Sequence, residues 1–234
     1  MISADAPPLP RPRILRQSWL DLTFVHWAVE PESIARFYPP GTRPDTFEGR
    51  AYVGLVPFRM ARTGFARGPA LVGDFLETNI RLYSIDSTGR RGVVFLSLDA
   101  NRRDVVAIAR TVFALPYRFA RMQYDVRDQT HTYTTQAAGF SSRITARVGA
   151  AMEPGDLEHF LTARWGLHTQ RAGRTWYLPN EHPAWELRSA ELLDLEAGSL
   201  LTSVGLRDLS TRPPDHVAHS SGVRSYFGLP RRTP

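Results

Sequence analysis

The sequence contains no cysteine, and although 29 of its 234 residues are basic, none of them is lysine. Without a thiol the chain can form no disulfide, zinc ribbon, iron–sulfur cluster or cysteine nucleophile. Without a lysine amine, no side chain can form an imine with a ketone or with pyridoxal phosphate. A P-loop is excluded as well, because that motif ends in lysine. These two absences remove several large classes of enzyme.

Long apolar segments are also missing. Uninterrupted apolar runs, such as residues 93–96, fall far short of the roughly 20 residues that a membrane-spanning helix requires. The first ten residues lack the charged and then apolar layout of a secretory signal. Together with the absence of cysteine, these features predict a cytoplasmic protein that has no membrane partner.

Positive charge is in excess, since the formal net charge is +6. The arginines are scattered along the chain in ones and twos, without a zinc finger, a ribonucleoprotein motif or a basic helix. We interpret most of them as a solvated surface, so the pattern disfavours nucleic acid as a partner. Whether the exclusive use of arginine reflects function or codon bias is left open.

Alternating apolar residues predict a sheet that is mostly antiparallel. Residues 79–85 and 92–98 flank an Asp-Ser-Thr-Gly turn, an arrangement typical of a β-hairpin. Further strands are predicted at residues 20–29, 51–60, 117–126, 131–136, 142–148, 175–178, 185–194 and 221–227.

Helical spacing of apolar residues occurs in three segments. Residues 103–115 are the clearest case, with one face formed by Val105, Ile108, Ala109, Val112 and Phe113. Shorter helices are predicted at residues 30–38 and after Pro154. Four prolines predict an extended arm over residues 1–14. Residues 15–230 are predicted to form a single α+β domain.

Two carboxylates stand out, Glu77 and Asp99, because each lies in or beside an apolar strand. Burial would raise the pKa of either towards the range of a general acid. Alternatively, an arginine such as Arg81 or Arg59 would neutralise it in a buried ion pair. Arg59, Arg81 and Arg118 each lie in aromatic or aliphatic sequence. Inside a barrel they would bind a carboxylate bidentately, whereas on an outer surface they would only cover the strands.

Seven histidines raise the question of a metal site. His216 and His219 are the only close pair, and no glutamate lies between them as in the zinc-protease helix. On a strand, their spacing places the two rings on opposite faces. The sequence therefore predicts no metal site. It also lacks the Gly-x-Ser-x-Gly and Gly-x-Gly-x-x-Gly motifs of serine hydrolases and dinucleotide-binding proteins, and no cofactor is predicted.

Several motifs occur in a fixed order along the chain. They are residues 26–32 (HWAVEPE), 39–41 (PPG), 45–60, 77–83 (ETNIRLY), 97–100 (SLDA) and 115–118 (LPYR) and, more loosely, 160–165 and 182–185. Together they resemble a bacterial family known as domain of unknown function 2071. Membership of this family implies a fold but says little about biochemical activity.

That family resembles the acetoacetate decarboxylase superfamily, whose fold is an antiparallel β-cone around a closed, largely apolar cavity. Residues 75–77 resemble the strand that supplies an active-site glutamate there. Residues 109–120 resemble a helix-end segment that carries two consecutive lysines, at the positions of Tyr117 and Arg118. Because tyrosine forms no imine, the resemblance implies the barrel or cone with flanking helices but not the decarboxylase mechanism.

Two functions remain open from the sequence. The first is binding of a small carboxylate-bearing metabolite in the cone, for which the candidate residues are Arg118, Arg81, Arg59 and Asn79. The second is a lysine-independent lyase, hydratase or isomerase acting on a small keto or hydroxy acid. Its candidate catalytic groups are Glu77 or Asp99 as acid/base and Tyr117 as proton donor.

The resemblance also predicts where these groups lie in the cone. The resemblance brings the segments of Glu77 and Arg118 together around the cavity, where Tyr117, Arg81 or Asn79 would join them at the wall. Homo-oligomerisation is left open by the sequence.

Overall fold

The computed structural model describes residue 3 and residues 5–233, and within that part of the chain 14 strands form one continuous sheet. The strands are β1 (Leu15–Val29), β2 (Thr42–Pro44), β3 (Ala51–Phe65), β4 (Phe75–Asp86), β5 (Arg91–Ala100), β6 (Tyr117–Phe119), β7 (Arg121–Arg127), β8 (Thr130–Ala137), β9 (Phe140–Ala151), β10 (Gly166–Arg171), β11 (Arg174–Glu181), β12 (Leu187–Glu196), β13 (His216–Phe227) and β14 (Arg231–Arg232). The helices are α1 (Pro31–Ile34), α2 (Arg103–Phe113), α3 (Asp156–Thr162) and α4 (Gly198–Ser203), with 3-10 turns at Ala35–Phe37 and Arg207–Leu209. None of the described helices is long and apolar enough to cross a membrane.

Seven of the strands close into a ring. They follow the order β11-β10-β5-β4-β3-β1-β13, and β11 pairs with both β10 and β13. The strands β12, β9, β8 and β7 extend the sheet beyond β13. Among the described strands only the β10–β5 and β5–β6 pairs are parallel. The predicted mostly antiparallel sheet is therefore confirmed, and it is curled into a barrel.

The predicted hairpin is confirmed as β4 and β5. Asp86 closes its turn, because one carboxylate oxygen accepts hydrogen bonds from the backbone amides of Thr88 and Arg90 at 2.9 and 3.0 Å. Gly89 takes a left-handed conformation with φ of 81°, which glycine adopts without a steric penalty. This local chemistry places β4 and β5 side by side, and the candidate carboxylates lie on these two strands.

The predicted helix over residues 103–115 is confirmed as α2, although it ends two residues earlier. Its buried face is narrower than the apolar spacing predicts. Val106 and Ala109 are buried, whereas Ile108 and Val112 are 53% and 52% exposed. The helix therefore covers the sheet with only part of its apolar side.

Several details differ from the predicted elements. Strand β10 and helix α4 are not predicted from the pattern, and the predicted strand over residues 117–126 is broken at Ala120. The break lets β6 pair with β5 while β7 pairs with β8. Residues 1, 2 and 4 of the predicted arm lie outside the described residues, and residues 5–14 form neither helix nor strand.

The sheet has an inner face that points into the ring and an outer face that points away from it. On the inner face, side chains from five strands of the ring pack with two residues of α3: Tyr83, Val93, Leu167, Leu178, Phe227, Phe160 and Leu161. On the outer face, Trp27 and Leu55 pack against Ile144 of β9 and Leu200 of α4. Both faces of β4 are consequently covered.

Candidate functional site

Four polar side chains form a row on the inner face of β4. Glu77, Asn79, Arg81 and Tyr83 occupy alternate positions, and alternate side chains of a strand share one face. Glu77, Asn79 and Tyr83 are 2%, 4% and 0% exposed. The alternation thus places a carboxyl, an amide, a guanidinium and a phenol inside the ring, where polar groups are costly to bury without partners.

Glu77 is held by Tyr117 in apolar surroundings. The Tyr117 hydroxyl donates to Oε2 of Glu77 at 2.7 Å, and Nδ2 of Asn79 lies 3.5 Å from Oε1. Burial raises the pKa of Glu77 to about 7, although both hydrogen bonds oppose the rise. Burial also keeps the pKa of Tyr117 well above its usual value. Near neutral pH the carboxyl of Glu77 can therefore gain or lose a proton, while the hydroxyl of Tyr117 stays protonated.

Asn79 carries an unsatisfied group. The side chain is buried, and its Oδ1 has no hydrogen-bond partner among the described residues. A buried carbonyl without a donor costs about 1–3 kcal/mol. A water molecule or a ligand that donates a hydrogen bond at this point would remove that cost.

Arg81 brings a positive charge to the same row. Its Nε donates to the Tyr83 hydroxyl at 3.2 Å, and its Nη2 donates to the backbone oxygen of Leu161 at 3.3 Å. The guanidinium carbon lies 5.4 Å from the centre of the Phe24 ring. Within the described part of the chain, no carboxylate forms an ion pair with Arg81. The guanidinium is thus available to an anion that enters the ring.

A chain of hydrogen bonds holds Arg81 in place. Because the Tyr83 hydroxyl accepts from Arg81, its own hydrogen points to Nε2 of His26, 2.7 Å away. His26 therefore carries its hydrogen on Nδ1 and donates it to Nδ1 of His216 at 3.0 Å. Nε2 of His216 then lies 3.4 Å from Oε1 of Glu158. Burial lowers the pKa of His26 well below its usual value, in agreement with a neutral ring that accepts at Nε2.

Gly54 of β3 makes room for this arrangement. A Cβ atom there would lie 3.1 Å from the Tyr83 hydroxyl, 3.2 Å from Cγ of Arg81 and 3.2 Å from Cδ2 of His26. Each contact is closer than ordinary van der Waals packing, so a side chain at this position would displace all three groups. Gly54 was among the residues of the family motif, but nothing in the sequence assigned it to the site.

We expect Gly54→Ala to lower the free energy of unfolding by about 1–3 kcal/mol, because three packed side chains must move. Urea denaturation measures the change. Gly73→Ala is the control, since Gly73 is exposed and a Cβ there approaches only Nη1 of Arg102, the end of a flexible side chain. Equal stability of the two variants would contradict the close packing at Gly54.

Aromatic rings border the site beside Arg81. Phe24, which the guanidinium of Arg81 covers, meets Trp185 edge to face with ring centres 5.3 Å apart. Trp185 in turn lies 5.1 Å from His182 and is stacked on Trp19 at 6.1 Å. The sequence carried a signal for Trp185 in the family motif at residues 182–185, but the role of these rings at the site was missed.

Asp99 and Arg118 form a separate pair on the outer face. Nε and Nη2 of Arg118 donate to the two oxygens of Asp99 at 2.6 and 2.9 Å, and Nη1 donates to Ser203 at 2.9 Å. Asp99 is fully buried. Because Tyr117 and Arg118 are consecutive in β6, their side chains lie on opposite faces. The expectation that Glu77 and Arg118 face one chamber is therefore wrong, since Tyr117 binds Glu77 on the inner face.

Arg59 also has a partner elsewhere. Its Nε donates to Oδ2 of Asp21 at 2.7 Å, and both side chains are partly exposed. Of the three arginines singled out in the sequence, Arg81 alone lies in the same row as Glu77 and Asn79, and it has no carboxylate partner among the described residues. The structure brings together Glu77, Asn79, Arg81 and Tyr117, and it separates them from Asp99, Arg118 and Arg59.

Two pockets lie elsewhere on the molecule. One, of about 580 Å³, is lined by residues from the end of α2 and from β10 and β11. The other, of about 320 Å³, lies between β12 and the segment of residues 209–214. Neither is lined by Glu77, Asn79, Arg81 or Tyr117. The row on β4 is thus distinct from both pockets.

Sequence comparisons place the chain among known proteins. The DUF2071 family, described as an uncharacterized conserved protein, matches residues 16–224. The uncharacterized protein YqjF of Bacillus subtilis is 28% identical over 218 residues, which cover 90% of this chain and 89% of YqjF.

Solved structures with a similar fold are acetoacetate decarboxylase-like proteins. Acetoacetate decarboxylase from Legionella pneumophila has a TM-score of 0.64 at 15% identity and covers 96% of this chain and 91% of its own. An acetoacetate decarboxylase-like enzyme from Sphingomonas wittichii gives 0.65 at 12% identity, with 95% and 94% covered. The enduracididine biosynthesis enzyme MppR, in complex with pyruvate, gives 0.62 at 14% identity, with 95% and 91% covered.

At these identities the likeness shows the fold alone. It confirms the predicted fold, a single α+β domain built as an acetoacetate decarboxylase-like barrel with flanking helices. The resemblance of the ordered motifs is confirmed by the family match, which spans most of the sequence. The chain accordingly belongs to the DUF2071 family.

Proposed function

We propose that the inner face of the ring binds a small carboxylate-bearing molecule and that Arg81 binds its carboxylate. The observation that carries the proposal is the guanidinium of Arg81, which lies inside the ring without a carboxylate partner in the described residues. A charge in such surroundings is costly unless it is paired. The planar fork of arginine matches a carboxylate in geometry and charge.

The opposite end of the row supports a ligand with a second polar group. Glu77 and Arg81 are four residues apart, roughly 13 Å between Cα atoms along a strand, and Asn79 lies between them. The free Oδ1 of Asn79 would accept a hydrogen bond from a hydroxyl, and protonated Glu77 would donate one to a carbonyl. MppR, which shares the fold, is described in complex with pyruvate. Small oxo and hydroxy acids are therefore the class to test.

Arg81→Gln is expected to abolish binding of small 2-oxo acids while the protein stays folded, because glutamine keeps much of the side-chain length but loses the charge. Isothermal titration calorimetry with pyruvate and longer 2-oxo acids measures the loss. Arg59→Gln is the matched control, since that guanidinium group is partly exposed and pairs with Asp21 instead. Undiminished binding by Arg81→Gln, or no binding by the unmodified protein, would contradict the proposal.

The pKa of Glu77 favours a second candidate function, acid/base catalysis on the bound molecule. A carboxyl group that titrates near neutral pH can remove a proton from the carbon beside a carbonyl and return it. Tyr117 would keep its proton and hold the carboxyl in position. Asp99 does not share this site because it pairs with Arg118 on the outer face.

Exchange of the methyl protons of pyruvate in heavy water, followed by proton NMR, tests for such chemistry. Exchange that depends on the protein and is lost in Glu77→Gln would support an enzyme. Pyruvate binding without accelerated exchange would favour a binding protein.

A further inference from the structure

Three potential metal ligands from distant parts of the chain meet on the outer face. Asp21 lies on β1, His131 on β8 and His219 on β13, and one ligand atom from each lies within 4.8 Å of the other two. The two imidazole rings have their centres 4.4 Å apart. Bonds of roughly 2.0–2.2 Å to one Zn²⁺ ion would hold the ligand atoms closer together than 4.8 Å, so small side-chain rotations are needed to bring all three onto one ion.

Asp21 lies at an irregular point of the sheet. The pairing of β1 with β3 shifts register between Leu20 and Val25, and Asp21, which lies within this stretch, adopts a left-handed φ of 52°. On β13, Gly222 pairs with Leu20 and has φ of 126°, and a Cβ at that position would lie 2.0 Å from the backbone oxygen of Trp19. The close approach of the β1 backbone therefore requires glycine at position 222, whereas Asp21 is a non-glycine residue in left-handed conformation, which is often part of a functional site.

Hydrogen bonds place the ring hydrogen of His219 on Nδ1, which leaves Nε2 free to bind a metal ion. The Tyr133 hydroxyl donates to the backbone oxygen of Asp21 at 2.6 Å, and the Thr23 hydroxyl donates to Tyr133 at 3.4 Å. With its hydrogen used in this way, Thr23 accepts from Nδ1 of His219 at 3.3 Å. The lone pair of His219 is then on Nε2, and a polar partner on the other ring nitrogen is typical of metal-binding histidines.

The other two residues of the cluster, His131 and Asp21, also have hydrogen-bond partners that hold them in position. Nδ1 of His131 lies 2.8 Å from the Tyr124 hydroxyl, so this ring, like that of His219, has a polar partner on one nitrogen. Oδ2 of Asp21 is bound by Arg59, but Oδ1 has no hydrogen-bond partner within the described range. The Asp21 side chain is 24% exposed, which leaves a route for an ion from solvent.

We propose that Asp21, His131 and His219 bind one divalent transition metal ion. Two imidazoles and a carboxylate suit Zn²⁺ or Co²⁺, whereas Ca²⁺ and Mg²⁺ prefer sets of oxygen ligands. Three protein ligands leave a coordination position for water or an anion. Arg59 and Arg188 face the site and add positive charge, which favours an anion in that position. The site lies on the opposite face from Arg81 and departs from the sequence-based expectation of no metal.

Titration of tag-free, chelator-treated protein with Zn²⁺ tests the site by calorimetry. One Zn²⁺ ion per chain is expected to bind. His219→Ala and Asp21→Asn should each weaken binding at least about 100-fold, because the first removes a ligand and the second removes the negative charge of the only carboxylate ligand. Asp21→Asn also preserves side-chain size, so it remains informative if His219→Ala folds poorly. Co²⁺ should give visible absorption bands with the unmodified protein that both variants lose.

His216→Ala is the matched control. His216 lies three residues before His219 on the same strand, but its ring contacts His26 on the inner face. This variant should bind Zn²⁺ as tightly as the unmodified protein. An equal loss in His216→Ala and His219→Ala, or no stoichiometric binding by the unmodified protein, would overturn the proposal.

Discussion

Replacing Arg118 by alanine is expected to lower the free energy of unfolding by about 3–5 kcal/mol, because it leaves the Asp99 carboxylate buried without its partner. Asp99 is completely buried, and Arg118 supplies both of its charged hydrogen bonds. Burial raises the pKa of Asp99, and the guanidinium of Arg118 opposes that rise. Without Arg118 the carboxyl must remain charged in apolar surroundings or take up a proton, and either costs stability.

Urea denaturation of Arg118→Ala, Asp99→Ala and the double variant measures this pair as a cycle. The double variant should be less destabilised than the sum of the single variants, because no unpaired charge remains. Arg121→Ala is the control, since Arg121 is exposed on the neighbouring strand β7 and its removal should change stability by no more than about 0.5 kcal/mol. A change of that small size in Arg118→Ala would show that the pair contributes little.

The stability of the protein is expected to fall by about 3 kcal/mol relative to Glu77→Gln as the pH rises from about 4.5 to 7. The carboxyl of Glu77 has a pKa of 4.5 as a free group and about 7 in the fold, where burial favours the neutral form. Between these values the folded protein keeps a proton that the unfolded chain has lost. The free energy of unfolding therefore decreases with rising pH, and the contribution of the protonated carboxyl is lost above pH 7.

Urea denaturation of both proteins at intervals of pH measures the difference. The buried histidines titrate in both proteins, so their contribution cancels in the comparison. Glutamine still accepts the hydrogen bond from Tyr117 and cannot ionise, so its profile lacks the decrease due to Glu77. Parallel profiles would mean that the carboxyl has an ordinary pKa in the fold.

Much of the fold could be predicted from local sequence patterns. The hairpin of β4 and β5 follows from a turn sequence and from alternation, both of which act between near neighbours. The same alternation placed Glu77, Asn79 and Arg81 on one face, so this part of the site could be predicted from spacing alone. Helix α4 has six residues and little apolar periodicity, and packing against β9 rather than local propensity accounts for it.

The pairing of the charged groups could not be predicted from the sequence. Asp99 meets Arg118 because β6 pairs in parallel with β5 after the α2 crossover, in the register that places these two residues opposite each other. The Asp21, His131 and His219 cluster joins segments about a hundred residues apart, and Asp21 lies at an irregularity of the β1–β3 pairing that the sequence did not reveal.

By itself, the sequence determined which chemistry is closed to this protein, because a chain without lysine or cysteine cannot form an imine or a thiolate whatever its fold. It also determined that Glu77, Asn79 and Arg81 share one face of β4, since the two-residue period of a strand is a local property. Only the tertiary structure decided that Arg81 remains without a carboxylate among the described residues while Arg118 and Arg59 are paired. Charge pairing depends on distances of a few ångströms between strands, and those distances are set by register and ring closure rather than by spacing along the chain.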